Sequence, residues 1–116
     1  MDIKISRFDH NIVFKLSGEL DHHSAGEFKK WFEVEWERQE GARNLVINFE
    51  NVTFMDSSGV GAIIGRYKQV NRKGGQVAIC SPSKAVKKIL EMSGLPRIVT
   101  IYKNQGEALQ KINTPH

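Results

Sequence analysis

The chain has 116 residues, 40% of them hydrophobic and 26% charged, with a formal net charge of +4. That supplies one compact core and no room for a second domain, so a single domain over residues 1–116 is expected. No run approaches the roughly 20 apolar residues of a membrane span and Met1-Asp2-Ile3-Lys4 lacks the apolar stretch of a signal peptide, so the expectation is a cytoplasmic protein without a membrane partner.

Ile3 to Phe8 and Asn11 to Ser17 are expected to form a hairpin joined by Asp9-His10, with Ile12, Phe14 and Leu16 alternating inward. Gly18-Glu19-Leu20-Asp21-His22-His23-Ser24 ends in capping chemistry: Asp21 or Ser24 can cap, and Glu27 lies three residues past Ser24 as in a capping box. The first helix then runs to about Gln39 with Ala25, Phe28, Phe32 and Trp36 on one face, which leaves Trp31 and Val34 at its edge or outer side.

Gly41 closes that helix, and Leu45-Val46-Ile47-Asn48-Phe49 reads as a buried central strand ending at Glu50-Asn51, where polarity switches. A second helix carries Val60, Ile63, Ile64, Tyr67 and Val70 at three- and four-residue steps and ends near Lys73 at Gly74-Gly75. Gln76 to Cys80 is a fourth strand. Its cysteine, the only one in the chain, has no flanking His or acid, so a buried structural thiol is expected and disulfide and zinc frameworks are excluded.

Ser83 can cap a third helix with Val86, Ile89, Leu90 and Met92 as its apolar residues and Gly94-Leu95-Pro96 as its stop. Ile98 to Tyr102 reads as a last strand and Asn104 to Ile112 as a short final helix. Strands alternating with helices at this spacing imply an α/β fold: a mixed sheet with parallel central strands, opened by an N-terminal hairpin and packed with about four helices. Lys84, Lys87 and Lys88, with Arg72 and Lys73 elsewhere, are read as solvated faces, since no aromatic interleaving or DNA-binding motif points to nucleic acid.

Phe54-Met55-Asp56-Ser57-Ser58-Gly59-Val60-Gly61 is a polar knot between the central strand and the second helix. Asp56, Ser57 or Ser58 can each cap that helix, because a short side-chain oxygen accepts from the unpaired amides of the first turn. Three chemistries are open to a serine so placed. A hydrolase needs the G-x-S-x-G elbow and a base; the first glycine is missing, although His22 or His23 with Asp21 could supply the base. A phosphate cradle would lack the glycine spacing and lysine of a P-loop, leaving only loose anion binding at the helix amides.

The third is modification. A phosphate at a helix N-terminus gains roughly 0.3 to 1 kcal/mol from the dipole, which offsets repulsion of about 1 kcal/mol from Asp56 in water. A partner covering the same spot has to desolvate that dianion, at a cost of several kcal/mol unless a cation pairs with it. Folding therefore tolerates the phosphate and binding does not. On these grounds Ser57 and Ser58 are nearly equal candidates.

The knot with its continuation Ala62-Ile63-Ile64-Gly65-Arg66-Tyr67-Lys68, together with Gly18-Glu19-Leu20-Asp21-His22-His23-Ser24-Ala25, closely resembles the bacterial anti-anti-sigma factors of the STAS domain family. The sporulation branch that acts on the anti-sigma-F factor is the nearest, and the resemblance extends to Ala85-Val86-Lys87 and Met92-Ser93-Gly94-Leu95. It implies a partner-switching protein that is not an enzyme, holds no cofactor or metal and is monomeric alone. The unmodified form binds an anti-sigma factor that is also an ATP-dependent serine kinase, carrying ATP or ADP, and so frees a sigma factor. Phosphorylation of the first serine after the Asp, here Ser57, ends the interaction, and a serine phosphatase restores it.

The resemblance further implies that Asp56 shapes the loop, that Ser58 and Gly59 start the helix, and that Glu19 and Asp21 meet an arginine of the partner. Gly59, Gly61 and Gly65 each weaken a helix by roughly 1 kcal/mol relative to Ala, so close approach of a partner or a neighbouring element is expected near the mouth. A stress-response homologue acting on another sigma factor is the alternative within the family.

Overall fold

A computed structural model describes residues 1–112, so the last four residues of the expected domain, 113–116, lie outside the described residues. Five strands form one sheet in the order of the chain: β1 (Asp2–Phe8), β2 (Asn11–Leu20), β3 (Asn44–Met55), β4 (Val77–Cys80) and β5 (Thr100–Tyr102). The hairpin pair β1 and β2 is antiparallel and every later pair is parallel, as the alternating pattern requires. Asp9 takes a left-handed φ of 55° in the two-residue turn, a conformation that Asp tolerates better than most side chains.

Helices α1 (His22–Arg38), α2 (Ser57–Arg72) and α3 (Lys84–Ser93) cover one face of the sheet, and α4 (Gln105–Lys111) covers the other. None is long and apolar enough to cross a membrane. Ile12, Phe14 and Leu16 point into the larger core with Phe28 and Phe32 of α1; the Phe14 ring meets Phe28 edge-on at 5.8 Å, and Trp36 stacks on Phe32 at 5.3 Å. Val13, Val46, Ala78 and Cys80 face α4 instead. Both faces of the first half of β3 are thus buried, which is why it is mostly apolar, with only Asn44 and Asn48 polar among its six buried residues.

Several boundaries differ from expectation. The strands β2 and β3 continue past Ser17 and Glu50 to Leu20 and Met55, because Val52 and Met55 stay buried while Glu50, Asn51, Thr53 and Phe54 face solvent. Register shifts on either side of Gly18, which has φ +109°, accommodate the extension. It carries Leu20 and Met55, paired at the strand ends, out to one edge, so that α1 and α2 begin side by side. The last strand is shorter than expected, since Leu95–Arg97 form a 3-10 turn and Ile98 is exposed.

Met92 does not join the buried face of α3. It is 88% exposed, whereas Val86 and Leu90 are fully buried. Arg66, in contrast, is buried between α1 and α2, with the Glu33 carboxylate 3.9 Å from Nη2 and the Phe32 ring beneath. Desolvation lowers the pKa of its guanidinium.

Cys80 is buried as expected, and burial pushes its thiol pKa up to about 11. The native thiol is therefore expected to resist an aromatic disulfide reagent at pH 8 while the guanidinium-unfolded chain reacts fully. Rapid labelling of the native protein would show instead that β4 opens readily.

Candidate functional site

Asp56 is the residue that caps α2. Its backbone is extended, and Oδ1 accepts from the amides of Ser58 at 2.9 Å and Gly59 at 3.1 Å. That leaves Ser57 as the first helical residue, exposed, with Ser58 half-buried behind it. Removing the cap in Asp56→Ala is expected to cost about 1 kcal/mol, read as a lower midpoint in denaturant unfolding with an unchanged slope.

The two helix mouths are tied together. The Asp56 amide donates to the Leu20 carbonyl at 3.3 Å, and Gly59 is buried against the end of β2. A Cβ on Gly59 would run into the Leu20 carbonyl oxygen and lie 2.8 Å from Met55 Cγ. Its close neighbour is thus an element of its own fold. Gly61 and Gly65 have open space where a Cβ would go, so no contact within the fold demands either of them.

At the neighbouring mouth Asp21 caps α1, with Oδ1 accepting from the His23 and Ser24 amides at 3.0 and 3.1 Å. The reciprocal partner in the capping box is Ser24, not Glu27: Ser24 Oγ accepts from the Asp21 amide at 2.8 Å and donates to the Glu19 carbonyl at 2.6 Å. This network fixes the turn that presents the exposed Glu19 side chain. The Ser24 amide, more than any other group, holds the Asp21 carboxyl below its ordinary pKa of 3.8.

Because that carboxyl titrates lower in the folded than in the unfolded chain, its stabilisation is complete above pH 3.8 and is lost as pH falls through the folded value. The melting temperature of Asp21→Ala should therefore lie below wild type at neutral pH, with the gap closing in acid. A gap independent of pH would mean that the charge contributes nothing.

His22 and His23 are exposed and pack edge to face at 5.8 Å. Among the described residues no hydrogen bond joins either ring to Ser57, so the nucleophile–base pair of a hydrolase is not assembled. On the far side of Ser57 lies a groove of about 350 Å3 between α2 and α3, lined by Met55, Asp56, Ser57, Val60, Ile89 and Met92. In sequence Ile89 and Met92 stand out only as apolar residues of the third helix. The shared groove shows that this part of α3 borders the serine.

A mixed sheet opened by a hairpin, with an exposed serine at the mouth of its second helix, acids on one flank and an apolar groove on the other, defines a small display module. The chain belongs to the STAS domain family, whose model matches residues 2–108. It is 39% identical over 114 residues to an anti-sigma F factor antagonist of Paenibacillus polymyxa, covering 97% of each chain. It is 28% identical to an anti-sigma-B factor antagonist of Staphylococcus aureus, covering 95% of this chain and 98% of the relative.

Among solved structures, the anti-sigma factor antagonist SpoIIAA in its unphosphorylated form superposes with a TM-score of 0.82 at 27% identity over 99% of both chains. The phosphorylated form of the Bacillus cell fate determinant SpoIIAA superposes at 0.73 with 26% identity, over 97% of this chain and 100% of the other.

Proposed function

We propose that this chain is one STAS domain acting as an anti-sigma factor antagonist, a binding module rather than an enzyme. In this reading the unphosphorylated form captures an anti-sigma factor that is also an ATP-dependent serine kinase, so the sigma factor is released. The kinase phosphorylates Ser57, the complex dissociates, and a serine phosphatase restores the active form. Ser57 supplies the hydroxyl, Asp56 fixes the first turn beneath it, and Glu19 and Asp21 offer carboxylates to a cation of the partner.

The observation that carries the reading is the position of Ser57: exposed, first in α2, with its hydroxyl outside the Asp56 cap. A phosphate there meets the helix dipole without breaking any hydrogen bond of the fold. Ser58 is the poorer acceptor because it is half-buried and follows the turn inward. A kinase approaching Ser57 meets the Met92 and Ile89 groove on one side and the Asp21 turn on the other, a polar and an apolar half of one docking surface.

The sigma-F branch is favoured over the stress-response branch by the higher identity to the anti-sigma F antagonist, 39% against 28%. Incubation with the purified anti-sigma-F kinase and ATP tests the whole reading. Intact-mass and peptide spectra are expected to show one phosphate, on Ser57, and none in Ser57→Ala. A phosphate on another residue, or none, would overturn it.

A further inference from the structure

We infer a second binding site, for a small multiply charged oxyanion, at the amino-terminal ends of the parallel strands, remote from Ser57. The β1–β2 turn, the α1–β3 connection and the α2–β4 connection converge there around an open cleft of about 490 Å3, lined by His10, Gly41, Ala42, Arg43 and Lys73. Its volume falls within the range of about 300 to 1,000 Å3 common for small-ligand sites.

The charged side chains lining the cleft are all basic. Asp9 and Glu40, the acids of the same connections, do not line it. The Arg43 guanidinium makes no hydrogen bond or ion pair among the described residues. Lys73 is held with its ammonium 5.0 Å from the centre of the Trp36 ring, which positions the charge without neutralising it.

Arg7 stands at the edge. It donates from Nε to the Asp9 carbonyl and from Nη2 to the Glu40 carbonyl, both at 2.8 Å, and so braces two of the three connections. Gly41 has a left-handed φ of +79°, and a Cβ there would lie 3.3 Å from Arg7 Nη2, so a larger residue would crowd this arginine. His10 Nδ1 must donate to the Gly41 carbonyl, 3.0 Å away, because a carbonyl only accepts; Nε2 has no hydrogen-bond partner among the described residues.

The chemistry of the ligand follows from the lining. Gly41 and Ala42 offer little apolar surface and, apart from the His10 imidazole, no aromatic side chain is among the described residues that line the cleft, so recognition has to come from charge-assisted hydrogen bonds to Arg43 and Lys73, with Arg7 at the edge. An oxyanion with two or more negative charges, of the phosphate or polycarboxylate kind, suits two or three separated cations better than a single carboxylate.

Amide chemical shifts of the full chain, titrated with inorganic pyrophosphate and separately with citrate at constant ionic strength, test the site. The two probes distinguish a phosphate from a polycarboxylate preference. Saturable shifts at Gly41, Arg43 and Lys73 are expected for at least one of them, unchanged in Ser57→Asp. Arg43→Gln or Lys73→Gln should weaken binding by about fivefold each, the loss of one charge at contact distance in water. These side chains lie on the surface or in open loops, so both variants should fold. Shifts that never saturate, that spread equally to Lys84, Lys87 and Lys88, or that persist at full affinity in both variants would overturn the site.

Discussion

Ser57→Asp is expected to fold as well as wild type and to bind the anti-sigma kinase at least roughly thirtyfold more weakly, a penalty of about 2 kcal/mol or more for burying an unpaired carboxylate at the interface. The fold should not suffer, because the side chain starts exposed and a carboxylate at the first position of α2 gains up to about 1 kcal/mol from the helix dipole. Ser57→Ala removes only the hydroxyl, so it should bind like wild type and resist phosphorylation. Thermal unfolding and calorimetric titration separate the two effects. A melting temperature well below wild type for the Asp variant would mean that Ser57 is part of the fold's own support, and equal affinities would mean that charge at this point is harmless.

The second large effect concerns two glycines of the same turn. Gly59→Ala should destabilise the protein by about 1 to 3 kcal/mol, since the added methyl meets the Leu20 carbonyl and the Met55 side chain; the gain in helix propensity, about 1 kcal/mol, offsets only part of it. Gly61→Ala meets nothing and should stabilise the fold by up to about 1 kcal/mol. If Gly61 is kept small for the partner, that more stable variant should bind the kinase less tightly. Equal binding by Gly61→Ala would remove Gly61 from the docking surface, and an unchanged stability in Gly59→Ala would mean that the end of β2 yields easily.

Most of the architecture was legible because its elements carry unmixed signals. The alternation Ile12, Phe14, Leu16, the run from Leu45 to Phe49 and the cap at Ser83 each specify one local structure, and each is observed. Strand β3 was read short because Glu50-Asn51 looks like an exit from the sheet. Its last five residues carry polar side chains on one face only, a pattern that needs the extended β2 beside it before it reads as strand.

That a short polar side chain caps α2 was legible from residue type, but the choice of Asp56 among Asp56, Ser57 and Ser58 comes from the structure, and so do the surroundings. Met92 is apolar like Ile89 and Leu90, but at 3.6 residues per turn it points well away from the buried Val86 and Leu90, and it is left in solvent beside the groove that Ser57 lines. Arg66 was hidden for the opposite reason. A charged residue between Gly65 and Tyr67 reads as surface, and only the packing of α2 on α1 buries it beside Glu33. Gly59 and Gly61 look alike in sequence; they differ because one faces the end of β2 and the other faces open space.

In the proposed cycle a charge on Ser57 switches binding without remaking the fold. Calorimetric titration of the anti-sigma kinase with the unmodified chain and with the chain phosphorylated stoichiometrically on Ser57 tests it most directly. The unmodified form should bind tightly, and phosphorylation should weaken binding by roughly thirtyfold or more. Equal affinity of the two forms would contradict it.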